Sequence, residues 1–283
     1  MKKLIMFFVT VIIIIILTLL YSRYLGTKNI QVKEYKIINK NFTNDYYGLK
    51  IVHITDIHYG RITHKKELKE LVKKVNKTKP DIIVFTGDLI DKDSNLTNDE
   101  IDEFSSILSK LNSKIGKYAI SGNEDTKNYD LILSNSNFTN LNDKYDTIYL
   151  ESNRYILISG ISSNLKSKTS VNEKVKSTEE FLKDKKEDEL PIYSILLLHE
   201  PDYVKEINNK NYDLILAGHS LNGQIRIPFI GSTLLPKGAK KYYNSYYNIN
   251  NTDLYISSGI GTSNFNFRIF NKPSFNLYRM SYK

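Results

Sequence analysis

Residues 4–21 (LIMFFVTVIIIIILTLLY) carry no charge. A run of this length is near the lower limit for a membrane-spanning helix, which needs about 17–25 residues. Lys2 and Lys3 precede it, as in a signal peptide. The run is longer than the usual signal core of ~7–15 residues, and no small-x-small cleavage motif follows it. The pattern predicts an uncleaved N-terminal anchor over 1–23. Residues 24–47 are polar, with one alternating piece at 30–38 that reads as an edge strand. From residue 48 the apolar positions follow two rhythms. Short continuous runs at 50–55, 81–86, 118–121, 192–198 and 212–217 predict strands buried on both faces. Three-and-four spacing predicts helices at 64–78 (Leu68, Leu71, Val72, Val75) and at 99–111 (Ile101, Phe104, Ile107, Leu108, Leu111), and a short helix is expected at 128–136. A hairpin is expected from 147–150 and 155–161, separated by Ser152-Asn153. Residues 164–176 read as a surface loop, 178–190 as a charged helix and 201–208 as a short helix. In the last section, 225–283, strands alternate with turns, and 264–268 alternates like a half-buried strand. Two strand–helix halves imply an α/β domain over 48–283, with two sheets face to face and helices outside.

Charge adds a partner class. Lysine and arginine number 40 against 31 acids, for a net charge of +9 spread along the chain. Such a surface suits anionic lipid headgroups, phosphate polymers or nucleic acid. No nucleic-acid-binding module is visible, so nucleic acid is not the expected partner. There is no cysteine, which excludes disulfides and leaves the compartment open. Lys2 and Lys3 favour a cytoplasmic N-terminus, although Arg23 and Lys28 follow on the other side. The expected arrangement is a cell-membrane anchor with the globular domain outside the cytoplasm.

The buried runs share one feature, which is that each ends in a group able to bind metal. They lead into Asp56-Ile57-His58, Gly87-Asp88, Gly122-Asn123, His199-Glu200 and Gly218-His219. Ligands of open α/β sheets lie beyond the carboxyl ends of the strands. Asp56 and His58, two apart on an extended end, are expected to point the same way. Carboxylate and imidazole together suit Mn, Fe or Zn. Two such cations ~3.5–4 Å apart can clamp a phosphoryl group and activate a water. Other polar residues read more plainly. His53 faces the opposite side of its strand as a packed or surface histidine, and His64 opens a helix in solvent. Asp91 and Asp93 read as surface acids, and Glu200 and Asp202 as outer partners of His199 or turn residues. Arg268 reads as a phosphate contact or a surface charge.

The ordered set Asp56-x-His58, Gly87-Asp88, Gly122-Asn123, His199, Gly218-His219 resembles the calcineurin-like metallophosphoesterase superfamily, in particular its bacterial membrane-anchored branch. The resemblance covers about residues 48–280 and includes Gly223-Gln224 and Gly259-Ile260-Gly261-Thr262-Ser263. It implies a four-layer α/β/β/α sandwich with a dinuclear centre. Asp56, His58 and a bridging Asp88 would hold the first metal, and Asp88, Asn123, His199 and His219 the second. The implied activity is phosphoester hydrolysis by metal-activated water, on a phosphorylated small molecule or a lipid-linked or cell-envelope substrate. Asp88, Asn123 and Glu124 stand at the catalytic positions.

Two positions depart from the family pattern. Glu124 replaces the histidine after Gly-Asn, and Leu221 replaces the second histidine of Gly-His-x-His. The first metal therefore loses a ligand, with Glu124, Asp125 and Asn222 on hand as substitutes. The alternative reading is a catalytically degenerate, membrane-tethered protein that binds a phosphorylated ligand. A nuclease is a third reading, resting only on positive charge and the breadth of the superfamily.

Overall fold

Successive side chains of a strand face opposite ways, so a strand that is apolar on both faces must be covered on both. The computed structural model describes residues 1–125, 128–165, 167–207, 211–232 and 234–282. Asn208 of the expected short helix, Lys166 of the expected loop, Thr233 and the terminal Lys283 lie outside the described residues.

The first sheet holds β1 (Gln31–Ile38), β2 (Lys50–Ile54), β3 (Ile82–Phe85), β4 (Gly116–Ala119), β5 (Thr139–Asn140) and the last strand, β14 (Ser274–Ser281), in the order β1-β14-β2-β3-β4-β5. The second holds β6 (Lys144–Tyr149), β7 (Tyr155–Gly160), β8 (Tyr193–Leu198), β9 (Leu214–Ala217), β12 (Tyr246–Ile249) and β13 (Thr252–Ile256), in the order β12-β13-β9-β8-β7-β6. A small hairpin, β10 (Arg226–Ile227) and β11 (Gly231–Ser232), stands apart.

Alternate residues of the central strands go to different layers. Val52, Ile54, Ile83 and Phe85 pack with residues of α2 (Lys65–Thr78), α3 (Asn98–Leu108) and α4 (Tyr129–Asn135). Ile51, Ile82 and Val84 pack against Ile156, Ile195 and Leu214 of the facing sheet. Leu196, Leu198 and Ile215 pack on the outer side with Val171 and Val175 of α5 (Val171–Lys183). The result is the expected α/β/β/α sandwich. The stripe Leu68, Leu71, Val72 and Val75 on α2 is buried, and each such side chain contributes up to about 1.5–3 kcal/mol.

Helix α1 (Lys2–Tyr24) stands out from the sandwich. It is long and apolar enough to cross a membrane, and its apolar window is not buried by protein. Strand β1, which follows it, pairs in parallel with β14 at the edge of the first sheet.

Two predicted elements are corrected. The charged helix expected at 178–190 begins earlier, at Val171, inside the stretch read as a loop. Ser170 caps it, accepting from Glu173 N, while the Glu173 carboxylate accepts from Ser170 N. This S-x-x-E capping box is a start signal, and it outweighs the polar composition of 164–176. Residues 264–268 form bends and irregular chain, not a strand. The guanidinium of Arg268 gathers the surrounding backbone carbonyls, so that stretch curls and does not pair.

Candidate metal centre

The parallel strands end nearly level. Ile54 pairs with Phe85, Phe85 with Ala119, and Leu198 with Ala217. The chemistry therefore lies one to four residues past each strand end, where the chain is free to turn. Asp56, His58, Asp88 and His219 all adopt the left-handed backbone region, with φ of 49°, 45°, 60° and 60°. For residues other than glycine this costs about 1–2 kcal/mol each. Such strain persists where the surroundings over-determine it, typically at functional sites. Here the backbone does so: Asp56 N donates to Gly87 O at 2.9 Å, His58 N to Asp88 O at 3.2 Å, and Gly261 N to Asp56 O at 2.8 Å. Asp56 and His58 thus converge through left-handed turns and not, as expected, along an extended end.

Glycines leave the space the carboxylates occupy. A Cβ on Gly122 would stand 2.2 Å from Asp88 Oδ1, and one on Gly218 would stand 2.6 Å from Asp56 Oδ2.

The side chains meet around Asp88. Its Oδ1 accepts from Glu124 N at 2.7 Å. Its Oδ2 lies 3.3 Å from His199 Nε2 and 3.9 Å from His58 Nε2, between two imidazoles. Asn123 Oδ1 is 3.2 Å from His199 Nε2. Asp56 Oδ2 accepts from Thr55 Oγ1 at 2.7 Å and from His219 N at 3.0 Å. Asp56 Oδ1 is buried without a hydrogen-bond partner, 3.7 Å from His58 Nε2. The ring of His219 lies 5.0 Å from that of His199, centre to centre.

Outer contacts orient the imidazoles. His199 Nδ1 is 2.6 Å from Thr86 O, and His219 Nε2 is 2.8 Å from Lys237 O. A carbonyl only accepts, so those nitrogens carry a proton, and a metal would take the opposite ones once these are unprotonated. His58 Nδ1 faces Glu124 Oε2 at 3.2 Å and Asp91 Oδ2 at 3.8 Å.

The charges are strongly coupled. Burial opposes ionisation of Asp88 and Asp56, yet both stay below the usual carboxylate range, Asp88 chiefly through His199 and Asp56 through the facing imidazole of His58. Burial alone would lower His58, but Asp56, Glu124 and Asp88 hold it at about 10. The charge of Asp88 likewise holds His199 well above its ordinary value against burial. Burial and the charge of His199 lower His219. A field that draws protons onto buried imidazoles would draw a divalent cation in the same way. The donors suit one. Two buried groups, Asp56-His58-Asp88 and Asp88-His199-His219, each bring their ligand atoms within 4.8 Å of one another and share Asp88. The orphaned Asp56 Oδ1 is left for such an ion.

The two departures have physical counterparts. Glu124 does not face outward as a leaving-group acid would. Its side chain is buried, turned to the far nitrogen of His58, and it accepts from Lys92 N at 3.2 Å. Leu221 is buried against Gly259, whose Cα in turn backs Asp56. The other residues on hand as substitutes are engaged. The Asp125 carboxylate accepts from Asp88 N, Leu89 N and Gly122 N at 2.7–2.8 Å. Asn222 donates to Ser245 Oγ at 2.8 Å and accepts from Arg226 at 3.2 Å.

Other sequence readings are corrected or resolved. Arg268 is fully buried and donates to the carbonyls of Gly261 and Ser258 at 2.6 and 2.8 Å, so it is neither a surface charge nor a phosphate contact. It braces the loop carrying Gly259 and Gly261 behind Asp56 and His58. Asp91 is buried and not a surface acid; it pairs with Arg61 at 3.2 Å. No local signal announces this, because Asp91 reaches His58 through a bridge between Tyr59 and Ile90. Asp93 is exposed, as expected. His53 is packed, 2.8 Å from Thr86 Oγ1, and His64 is the exposed N-cap of α2. Glu200 is buried and accepts from Ser163 Oγ and Asn164 N, while Asp202 accepts from the backbone of Lys240 to Tyr242.

The chain is 30% identical over 265 residues to the metallophosphoesterase YkuE of Bacillus subtilis, covering 92% of this chain and 88% of that one. It is 25% identical over 228 residues to the phosphodiesterase YaeI of Escherichia coli, covering 78% of each. The solved structure of TT1561 from Thermus thermophilus shares the fold, with a TM-score of 0.51 at 14% identity over 75% of this chain and 90% of that one. The profile of the calcineurin-like phosphoesterases matches residues 49–223, a stretch that includes every residue converging on Asp88. A match over more than half of the chain makes this protein a member of the calcineurin-like phosphoesterase family.

Proposed function

We propose that the protein is a membrane-anchored, metal-dependent phosphoester hydrolase. The carrying observation is the Asp88 carboxylate, with one oxygen fixed by Glu124 N and the other between His58 and His199. In this reading Asp56, His58 and Asp88 hold one cation, and Asp88, Asn123, His199 and His219 hold another. Bound there, divalent cations such as Mn, Fe or Zn supply Lewis acidity toward a phosphoryl group and a water activated for attack. The chain's own residues do the positioning. Asp88 sets the spacing of the two groups, and Asn123 offers a neutral oxygen at the rim. Thr86 O fixes His199 with Nε2 inward, Lys237 O fixes His219, and Glu124 orients His58. Helix α1 serves as the membrane anchor, with the domain outside the cytoplasm. A pocket lined by His219, Leu221, Gln224 and Phe265 adjoins the centre and would receive the substrate, a phosphorylated small molecule or a lipid-linked or cell-envelope phosphoester. YaeI, named as a phosphodiesterase, supports a diester in particular.

The test combines metal content with turnover. The full chain in detergent is loaded with Mn, freed of excess, analysed for bound metal, and assayed on bis(4-nitrophenyl) phosphate. About two ions per chain with turnover is the expected outcome for a two-metal centre. About one ion would mean that Leu221 has cost the first site its occupant. Metal binding without turnover on mono- or diesters would replace the hydrolase with a phosphate-binding protein.

A further inference from the structure

Large apolar side chains stand exposed on the segments that line the candidate-site pocket and on the residues flanking them in sequence. Phe229 is 110% exposed relative to its reference, Phe270 74%, Ile230 70%, Leu234 53% and Phe265 46%. Leu234 and Phe265 line the same pocket as His219. Phe229 and Ile230 form the tip of the β10–β11 hairpin, where Ile230 N donates to Ile227 O at 3.2 Å. Pro228 sets the second turn position, and Phe229 takes the third with φ of 67°. That position ordinarily takes glycine or asparagine. A strained turn here holds an aromatic ring out of the protein, and contiguous exposed apolar surface of this kind marks an interaction site.

The rim is continuous with α1. Ile225, at the base of the hairpin, bridges to Ile269, and Arg226 N donates to Ile269 O at 3.0 Å. Ile269 and Phe270 in turn line a cleft with Ile14, Leu17, Thr18 and Tyr21 of α1. Ile14 precedes Tyr21 by seven residues, about 10 Å along a helix. Phe270 therefore lies beside a part of α1 well inside its apolar span. Lys272 lines the next cleft with Tyr21 and Gly26, near the helix end. A lysine there can keep its ammonium among lipid headgroups.

We propose that this apolar rim docks the globular domain on the lipid bilayer that holds α1. The hairpin tip and Phe270 insert below the headgroups, and the pocket mouth lies at headgroup depth. The proposal rests on α1 being in a membrane. A bilayer is the occupant because the surface runs without a break onto α1 itself, so a protein partner covering Phe270 would have to enter the lipid. A phosphoester carried on a lipid would then meet the pocket without leaving the membrane surface.

The chain contains no tryptophan, so one introduced indole reports one position. Full-length I16W, F229W, F270W and Y149W variants are reconstituted in phosphatidylcholine–phosphatidylglycerol vesicles, with and without lipids brominated in the upper acyl chain. Ile16 reports the anchor. Tyr149, 57% exposed on the edge strand β6, is the distant control. The F229W and F270W variants are expected to lose at least about half their emission to bromine, as for groups ~5–10 Å into the headgroup–acyl boundary. Y149W should be unaffected. If I16W is quenched while F229W behaves like Y149W, the anchor stands and the docking surface is overturned. If I16W is also unquenched, both fall. Emission of F229W that shifts with protein concentration but ignores bromine would put a second copy on the rim, which also overturns the proposal.

Discussion

Glu124→Ala separates two roles for the residue that stands where the family has histidine. The Glu124 carboxylate is buried, with Oε2 3.2 Å from His58 Nδ1. Without it, the nearest acceptor for that nitrogen is Asp91 Oδ2 at 3.8 Å, beyond hydrogen-bonding distance. His58 then loses the group that fixes its tautomer and ring plane. Lys92 N loses its acceptor as well. The contact is a close charged pair in a buried setting, and 1.4 kcal/mol is tenfold in affinity. The expected loss in Mn affinity is therefore about 10–100-fold, the range found when an outer partner of a metal-binding histidine is removed. Competition against a fluorescent chelator measures it directly on the full chain. Glu124→Gln keeps an acceptor oxygen and should recover most of the affinity. Mn binding by E124A within about twofold of the unsubstituted chain, against the ~1.4 kcal/mol expected at minimum, would refute the reasoning. A fall in kcat at unchanged metal affinity would instead assign Glu124 to the substrate.

Other outcomes follow from the same geometry. Asp88→Asn removes the carboxylate common to both donor groups, so bis(4-nitrophenyl) phosphate hydrolysis should fall to background; full turnover would end the two-group reading. Gly122→Ala places a Cβ 2.2 Å from Asp88 Oδ1 and 2.7 Å from His199 Cε1. Overpacking of this kind costs about 1–3 kcal/mol, and denaturant unfolding should show it together with lost metal; an unchanged midpoint would contradict the close approach. His53 is fully buried, and burial holds its imidazole at about 3. The unfolded chain takes up this proton below about pH 6.5, whereas the native chain does so only near 3, so stability should fall by up to about 1.4 kcal/mol per pH unit between those values. His53→Gln should flatten that dependence, and parallel pH curves for the two proteins would refute it.

Much of the architecture is legible along the chain. The uncharged run at 4–21, the buried strands and the stripes of α2 and α3 follow from the periods of apolar residues, because burial of a strand or a helix face imposes those periods locally. The misplaced helix α5 shows the limit of that reading. Its start was written in Ser170 and Glu173, a capping signal that polar composition concealed. The candidate ligands were legible for a related reason, since each follows the end of a strand, and level strand ends in a sheet bring such positions together.

Their geometry was not legible. The left-handed turns at Asp56, His58, Asp88 and His219 are stabilised by backbone bonds between distant segments, so no local propensity announces them. Arg268 reads as a surface cation, yet it is interior because carbonyls from Ser258 to Gly261 converge on it. Asp91 and Glu124 face one nitrogen of His58 only because β2, β3 and β4 lie side by side in the first sheet. The layers and the inventory of groups able to bind metal are readable along the chain, because hydrophobic period and residue chemistry are local properties. Which nitrogen faces which carboxylate, and which charges are buried, was decided by tertiary structure, because hydrogen-bond acceptors and desolvation come from parts of the chain far apart in sequence.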